Sequence, residues 1–361
     1  MQRITTAMKR FVSSFIVVLA VLPFVCQAQT EQKSIRVAFW NVENYFDPFV
    51  DSIRSYNDFT ENGVQRWTKT RFYNKRNNLY KTILALSENR PLGIIGLCEV
   101  ENDYALLSLF AWTPLKKHNY RWVHYEGPDR RSIEPAIVYS LDQFMLVESA
   151  VIPYRNPEDT AYHTRDILYA KFVEKGEPSA ESGTLSDTLH VFVNHWPSRY
   201  SGELETMGSR SCAASILRSK VDSIMAAATE GYQPKIIMMG DFNDNPYDPS
   251  IYNKLRARHL SEKEEGCLIN LFGKPDDLGF EGTMKHLDDW HIFDQIIVTE
   301  GIMQDKQGLH YQVGSARIFH PDFLLEDDVT HRGKKPYRTY LGPRYLGGFS
   351  DHLPVYIDLV R

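Results

Sequence analysis

Cysteine is scarce in this chain: four occur in 361 residues, and Cys26 lies in an N-terminal stretch read below as removed. The other three, Cys98, Cys212 and Cys267, are an odd number and cannot all pair, so no disulfide framework carries the fold. No C-x-x-C or H-E-x-x-H spacing occurs, which argues against zinc. No G-x-S-x-G elbow is present, which argues against a serine hydrolase built on that turn. Positive charge is not in excess either, with 41 Lys and Arg against 46 Asp and Glu. A net charge of −5 leans against polymeric nucleic acid, because phosphate contacts need local positive charge. Basic clusters do occur at Lys69, Arg71, Lys75 and Arg76, at Arg130 and Arg131, and at Lys334, Lys335 and Arg338; their expected setting is solvated surface.

The first thirty residues, "MQRITTAMKRFVSSFIVVLAVLPFVCQAQT", combine a basic start, an apolar stretch from Phe11 to Val25 and a small residue at Ala28. That is the anatomy of a secretory signal peptide, residues 1–28, followed by a mature chain of residues 29–361. The apolar stretch is short for a membrane span and Pro23 interrupts it. Lipid attachment at Cys26 would place Val25 where such sites favour a smaller residue. Export to the periplasm or beyond is expected, with no stable span in the mature protein. Removing residues 1–28 takes away three basic residues and no acidic one, so the net charge becomes −8.

Short apolar runs bounded by turn formers recur as "IRVAFW", "GIIGLC", "PAIVYS", "DILYAKFV", "TLHVFV", "KIIMMG", "FDQIIV" and "PVYIDL". They read as buried strands. Helical spacing links Phe72, Leu79, Ile83 and Leu86, and again Ala213, Ala214, Leu217, Val221, Ile224 and Met225. Strand–helix–strand order appears over residues 35–98 and 188–240. The expectation is one α/β domain of two sheets packed face to face with helices outside. Residues 175–187 read as an exposed hairpin loop.

Polar clusters stand at the tips of these runs. "VAFWNVEN" delivers Asn41 and Glu43, "GLCEVEN" delivers Glu99, "VFVNHWPSR" delivers His195 and Arg199, and "IIMMGDFNDNP" delivers Asp241 and Asn243. Asp294 interrupts "WHIFDQIIV", and "GGFSDHLPV" places Ser350, Asp351 and His352 before the last strand. Buried carboxylates and amides are costly without partners, so a shared site at one end of the sheets is implied. Oxygen donors with few histidines suit Mg²⁺, or else Mn²⁺ or Ca²⁺. An EF-hand loop over residues 241–252 fails, because Pro246 takes the Gly position and Tyr252 that of the bidentate Glu.

In their order, "WNVEN", "GLCEVEN", "NHWPSR", "MGDFND", "FDQIIV" and "FSDHLP" resemble the endonuclease/exonuclease/phosphatase superfamily over roughly residues 35–360. The resemblance implies the deoxyribonuclease-I-like fold, a four-layer α/β sandwich with two central mixed β-sheets flanked by helices. It implies metal-dependent cleavage of phosphoester bonds, usually with Mg²⁺. By the same resemblance, Glu99 is the principal metal ligand, with Asp351, Asn41 and Glu43 on the metal side. Asp241 and Asn243 orient water and hold phosphate, His352 is the catalytic histidine, and Asp294 hydrogen-bonds it. His195 is similar to a second histidine of nuclease-like members, Arg165 to a phosphate-facing arginine, and Asn41 to the asparagine near both metal and phosphate. Arg199 and Arg210 read first as surface ion-pair residues; of the two, Arg199, in "NHWPSR", is the better phosphate candidate. Ser132 stands where members often have glycine. The expected activity is that of a monomeric phosphodiesterase of nuclease type on DNA or RNA. The alternative substrate is a small phosphoester such as a nucleotide, a phosphoinositide or a sphingomyelin-like head group. A non-catalytic binding module is the third reading, and the complete set of site residues speaks against it.

Overall fold

Alternation of side chains along Ile35–Tyr45 sets the layering. Val37 and Phe39 enter one apolar cluster, while Ala38, Trp40 and Val42 enter another on the opposite face. The computed structural model describes residues 34–49, 56–88, 90–175, 187–304 and 308–361. The expected signal peptide and residues 176–186 of the expected hairpin loop lie outside the described residues.

The first sheet orders its strands His310–Tyr311, Val355–Val360, Ile35–Tyr45, Ile94–Val100, Glu134–Ser140 and Tyr120–His124, with Arg317–Ile318 also on Val355–Val360. The second runs Phe144–Ile152, Ile167–Glu174, Thr188–His195, Lys235–Asp241, Asp294–Val298, Leu268–Asn270 and Ala257–Arg258. Both are mixed. Ile35–Tyr45 pairs parallel with Ile94–Val100, and Thr188–His195 parallel with Lys235–Asp241, whereas most other pairings are antiparallel. Each parallel pair needs a crossover, and helices α1 (Lys69–Ser87) and α3 (Glu203–Ala226) supply them. A shorter helix, α2 (Asp103–Phe110), follows Ile94–Val100 and is capped by the Asn102 side chain, which accepts the Ala105 N–H at 3.0 Å.

Three apolar clusters define four layers. Phe72, Leu79, Ile83 and Leu86 of α1 pack with Leu106 and Leu109 of α2 on the outer face of the first sheet. Val37, Phe39, Val191, Val193, Ile237 and Met239 fill the space between the sheets. Ala213, Ala214, Leu217 and Val221 of α3 cover Phe192, Ile236 and Met238 on the far side. Each such side chain taken out of water contributes about 2 kcal/mol. Gly96 permits the sheets to approach here, since a Cβ on it would fall 2.7 Å from Met239 Sδ. The expected strands and both expected helices are present, in a four-layer α/β sandwich. Tyr120–His124, Phe144–Ile152 and α2 add to them.

One histidine of the second sheet gives stability a pH dependence. His190 Nδ1 lies 2.9 Å from the Tyr169 hydroxyl, and burial, with Lys171 nearby, lowers its pKa to about 4. Below the unfolded value of 6.5 the unfolded chain binds a proton that the native state refuses. Stability therefore falls as pH drops from 6.5 towards 4, by up to about 1.4 kcal/mol per pH unit. Urea unfolding across that window should show a shallower slope for His190→Gln than for the wild type.

Candidate active site

Strand register gathers the site. His195 is the parallel partner of Asp241, and Asp241 the antiparallel partner of Asp294, so the three side chains share one face of the second sheet. Gly240 keeps the first of these pairings close, because a Cβ there would lie 2.3 Å from Asn194 O. From the first sheet come Asn41 and Glu99, at the carboxyl ends of two parallel strands where the register breaks. Glu43, Asn44, Glu99 and Asn243 all take left-handed φ values, 49°, 54°, 65° and 51°. For residues other than glycine this costs about 1–3 kcal/mol each, a concentration of strain typical of functional sites. Ser132, in the place of a common glycine, also takes φ 57°. His352 arrives on the loop before Val355–Val360. Trp40 Nε1 donates to its carbonyl at 2.9 Å, and Ser350 Oγ bridges its N–H and the Asn41 carbonyl.

These residues converge on Asp241 Oδ2. Asn41 Nδ2 donates to it at 3.0 Å; His195 Nε2 lies 3.6 Å away and His352 Nε2 3.8 Å away. The last two separations exceed hydrogen-bond length, so neither ring is bonded to that oxygen. His352 Nδ1–H donates to Asp294 Oδ2 at 2.7 Å. Burial opposes charge on this ring, but the Asp294 and Asp241 carboxylates overcome it and hold its pKa well above the ordinary value. His195 goes the other way: burial, with Arg165, Arg131 and His352 nearby, holds it well below. Two rings facing one oxygen thus have opposite protonation near neutral pH. Burial, reinforced by Asp294, also raises Asp241, against the pull of His352 and Asn41.

The residues expected on the metal side divide. Glu99 Oε2 accepts the Asn44 N–H at 2.8 Å, while Oε1 lies 3.5 Å from Asn41 Nδ2 and 3.9 Å from His195 Nε2. Asp351 pairs with Arg338 at 2.8 Å. Glu43 turns to the Thr339 and Tyr340 N–H groups and to Lys75 at 4.0 Å, away from the oxygen on which the other residues converge. Among the described residues Asp241, Asp294 and His352 form a group whose ligand atoms lie within 4.8 Å of one another. The hydrogen bond from His352 to Asp294 accounts for one side of that group.

Two cations expected at the surface, Lys75 and Arg210, are buried, and Arg338 is part-exposed. Lys75 is 1% exposed and donates to Thr339 Oγ1 and the Phe349 carbonyl. Arg338 reaches Asp351 and Glu43. Arg210, expected as a surface ion-pair residue, is 1% exposed and forms an ion pair with Asp244. Helical spacing carried the signal in two cases: Lys75 lies between Phe72 and Leu79 on the buried stripe of α1, and Arg210 precedes Ala213, Ala214 and Leu217 on that of α3. Arg165 donates to Asp129 at 3.1 Å and to the Trp196 carbonyl at 3.3 Å. Arg199, expected to face phosphate, commits its guanidinium to Glu203, Asp244 and Asp248 and to the Asn243 carbonyl. Asn243 donates from Nδ2 to the Trp196 carbonyl, and its N–H meets Asp241 Oδ1.

Two mixed sheets with the site at their shared end define a deoxyribonuclease-I-like α/β sandwich. A family model described as Endonuclease/Exonuclease/phosphatase family matches residues 36–361, and the chain belongs to that family. Among solved structures it is similar to a mannosyl-6-phosphatase from Bacteroides thetaiotaomicron, at 15% identity and TM-score 0.53, over 91% of this chain and 100% of that one. A family protein of the same organism gives 15% identity and TM-score 0.53, over 91% of this chain and 96% of that one. Humanized D. rerio TDP2 gives 16% identity and TM-score 0.52, over 91% and 99%. At these identities the likeness concerns the fold. No curated protein matches the chain.

Because the Asp294 carboxylate sustains the charge on His352, Asp294→Asn should lower the titration midpoint of that ring. Imidazole NMR signals followed across pH, assigned with His352→Gln, would measure it.

Proposed function

We propose that the protein is an exported, divalent-cation-dependent phosphoester hydrolase of phosphodiesterase type, with nucleic acid as its leading substrate class and Mg²⁺ as its cation. The supporting observation is the pair of oppositely protonated histidines facing Asp241 Oδ2. Water attacking phosphorus must lose a proton, and the leaving oxygen must gain one. Asp241, raised by burial to about 6, is suited to accept the first near neutral pH. Charged His352, oriented by Asp294, is suited to stabilise the phosphoryl oxygens and supply the second. His195 Nδ1 is buried and has no hydrogen-bond partner among the described residues, so the tautomer carrying its proton on Nε2 is the less costly one. That proton faces Asp241 Oδ2, which lies 3.6 Å from Nε2.

The oxygen chemistry fits a hard cation. Glu99 Oε1 has its neighbours at 3.5 Å and beyond and is presented to the site, with Asn41 beside it. Asp351 would join by exchanging its guanidinium partner, and Glu43 would act through the backbone it holds. A cation held there supplies charge to offset the negative phosphoryl oxygens.

A second reading, hydrolysis of a small phosphoester, has its own support. Arg165 and Arg199, which would track a polymer's phosphates, are committed to carboxylates, and the chain is acidic overall. The family fold accommodates both substrates, since its neighbours include D. rerio TDP2 complexed with single strand DNA product and a mannosyl-6-phosphatase.

The test is incubation with supercoiled DNA, RNA and a short-chain phosphoinositide, with Mg²⁺ or with chelator, beside His352→Ala. Nicking that chelator and variant both abolish is expected. Phosphate release from the small substrate alone would move the activity to the second reading, and inertness towards all three would overturn both. Export predicts a secreted or periplasmic product whose N-terminus is Gln29, read by N-terminal sequencing.

A further inference from the structure

We infer that Asp244, gripped by Arg210 and Arg199, is the positioning residue that holds Asn243, and with it Asp241, in the reactive arrangement. The inference deepens the phosphoester reading above and rests on it.

Asp244 is 1% exposed, and all its oxygens are engaged. Oδ1 meets Arg199 Nη2 and Arg210 Nε, each at 2.7 Å, and Oδ2 accepts from Ser250 Oγ at 2.5 Å. Its carbonyl accepts from Gln295 Nε2 at 2.7 Å, and Gln295 is the neighbour of Asp294. The Arg199 guanidinium is fixed in turn by Asp248 and Glu203 and lies 4.8 Å over the Phe293 ring. Its Nε donates to the Asn243 carbonyl at 2.7 Å. Arg210 is anchored at the start of α3 through Thr206 Oγ1 and the Glu203 carbonyl.

Stability alone is a poor account of this cluster. Buried ion pairs seldom out-stabilise well-packed apolar side chains of the same volume. What the cluster holds is more telling. Asn243 sits at φ 51°, and its peptide is pinned on both sides, the N–H by Asp241 Oδ1 and the carbonyl by Arg199. Release of the carbonyl would let Asn243 relax towards an ordinary conformation. Asp241 Oδ1 would then lose its donor and its carboxylate would rotate, shifting Oδ2 from Asn41 and both rings. No atom of Asp244 or Arg210 need touch substrate for this. Arg199, expected from its motif to bind phosphate, belongs to the same clamp.

The experiment uses bis(4-nitrophenyl) phosphate with Mg²⁺ as probe, and compares wild type with Asp244→Asn, Arg210→Met and Arg210→Lys. Expected is a fall in kcat of about ten- to a hundred-fold for Asp244→Asn and Arg210→Met, with KM within about twofold. Arg210→Lys, which keeps a cation beside Asp244, should recover most of the loss. Amide hydrogen exchange at Asn243, measured on the same proteins, should be at least about tenfold faster in the first two variants at equal global stability. A rise in KM at constant kcat would overturn the inference by making the clamp a substrate contact. Losses that follow the unfolded fraction would overturn it by making the clamp a fold element only. Should the wild type be inert towards the probe, the phosphodiesterase reading fails; exchange at Asn243 still decides the clamp, and unchanged exchange overturns it.

Discussion

Burying Asp241 costs free energy that no single partner offsets, and the end of the sandwich where the site lies is arranged around that cost. The carboxylate is 2% exposed at the tip of a fully buried strand. Its Oδ1 holds the Asn243 N–H, and its Oδ2 holds Asn41 Nδ2 with two imidazoles just beyond hydrogen-bond reach. Those groups come from both sheets. The first contributes Asn41 and the loop bearing His352; the second contributes His195 and Asp241 itself. Sheet-on-sheet packing thus does more than fill a core, because it brings Asn41 within 3.0 Å of a residue two hundred positions away.

A close-packed interior supports this better than a loose one could. Gly96 and Gly240 remove side chains where sheets or strands come nearest, and the strands end in left-handed residues that redirect the chain within one or two positions. The strain at Glu43, Glu99 and Asn243 is held by specific bonds. Glu43 accepts two backbone donors from the Thr339 turn, Glu99 accepts the Asn44 N–H, and Asn243 is fixed from both sides. Lys75 ties the same Thr339 turn to helix α1 and to the Phe349 carbonyl, one residue before Ser350. Outer layer, first sheet and the loop bearing His352 are therefore connected by polar contacts as well as by apolar packing.

Much of this was legible along the chain. Strands announced themselves because β-branched and aromatic runs end in Gly, Asn and Asp, and Asp294 stood out as an acid inside an apolar strand. The six blocks in family order imply that Asn41, Glu99, His195, Asp241, Asn243, Asp294 and His352 lie near one another. The polar scaffolding was not legible in the same way. Arg338, Asp351 and Glu43 meet across nearly three hundred residues, and nothing local distinguishes Arg338 from its solvated neighbours. Lys75 and Arg210 do fall on apolar helical stripes, but a long cation on such a stripe usually runs along the surface to water. Its burial depends on a partner from elsewhere in the chain. For the same reason Arg199 read as a phosphate ligand: a motif reports which residue is present, and only packing reports that Asp244 and Asp248 claim it.

Charge balance carries the cation argument one step further than donor type. Glu43, Glu99, Asp241, Asp294 and Asp351 bring five formal negative charges to this end of the sandwich. Lys75, Arg338 and a charged His352 bring three positive ones, while His195 is held neutral and Arg165 is matched by Asp129. Two negative charges remain in excess. Burial raises Glu43 with help from Asp351, and raises Asp241 with help from Asp294, as expected where carboxylates outnumber their counter-ions. A monovalent cation would correct half of that excess, whereas one small divalent ion would restore balance. On the phosphoester reading proposed above, a substrate would then bring its negative charge to a neutralised site beside charged His352.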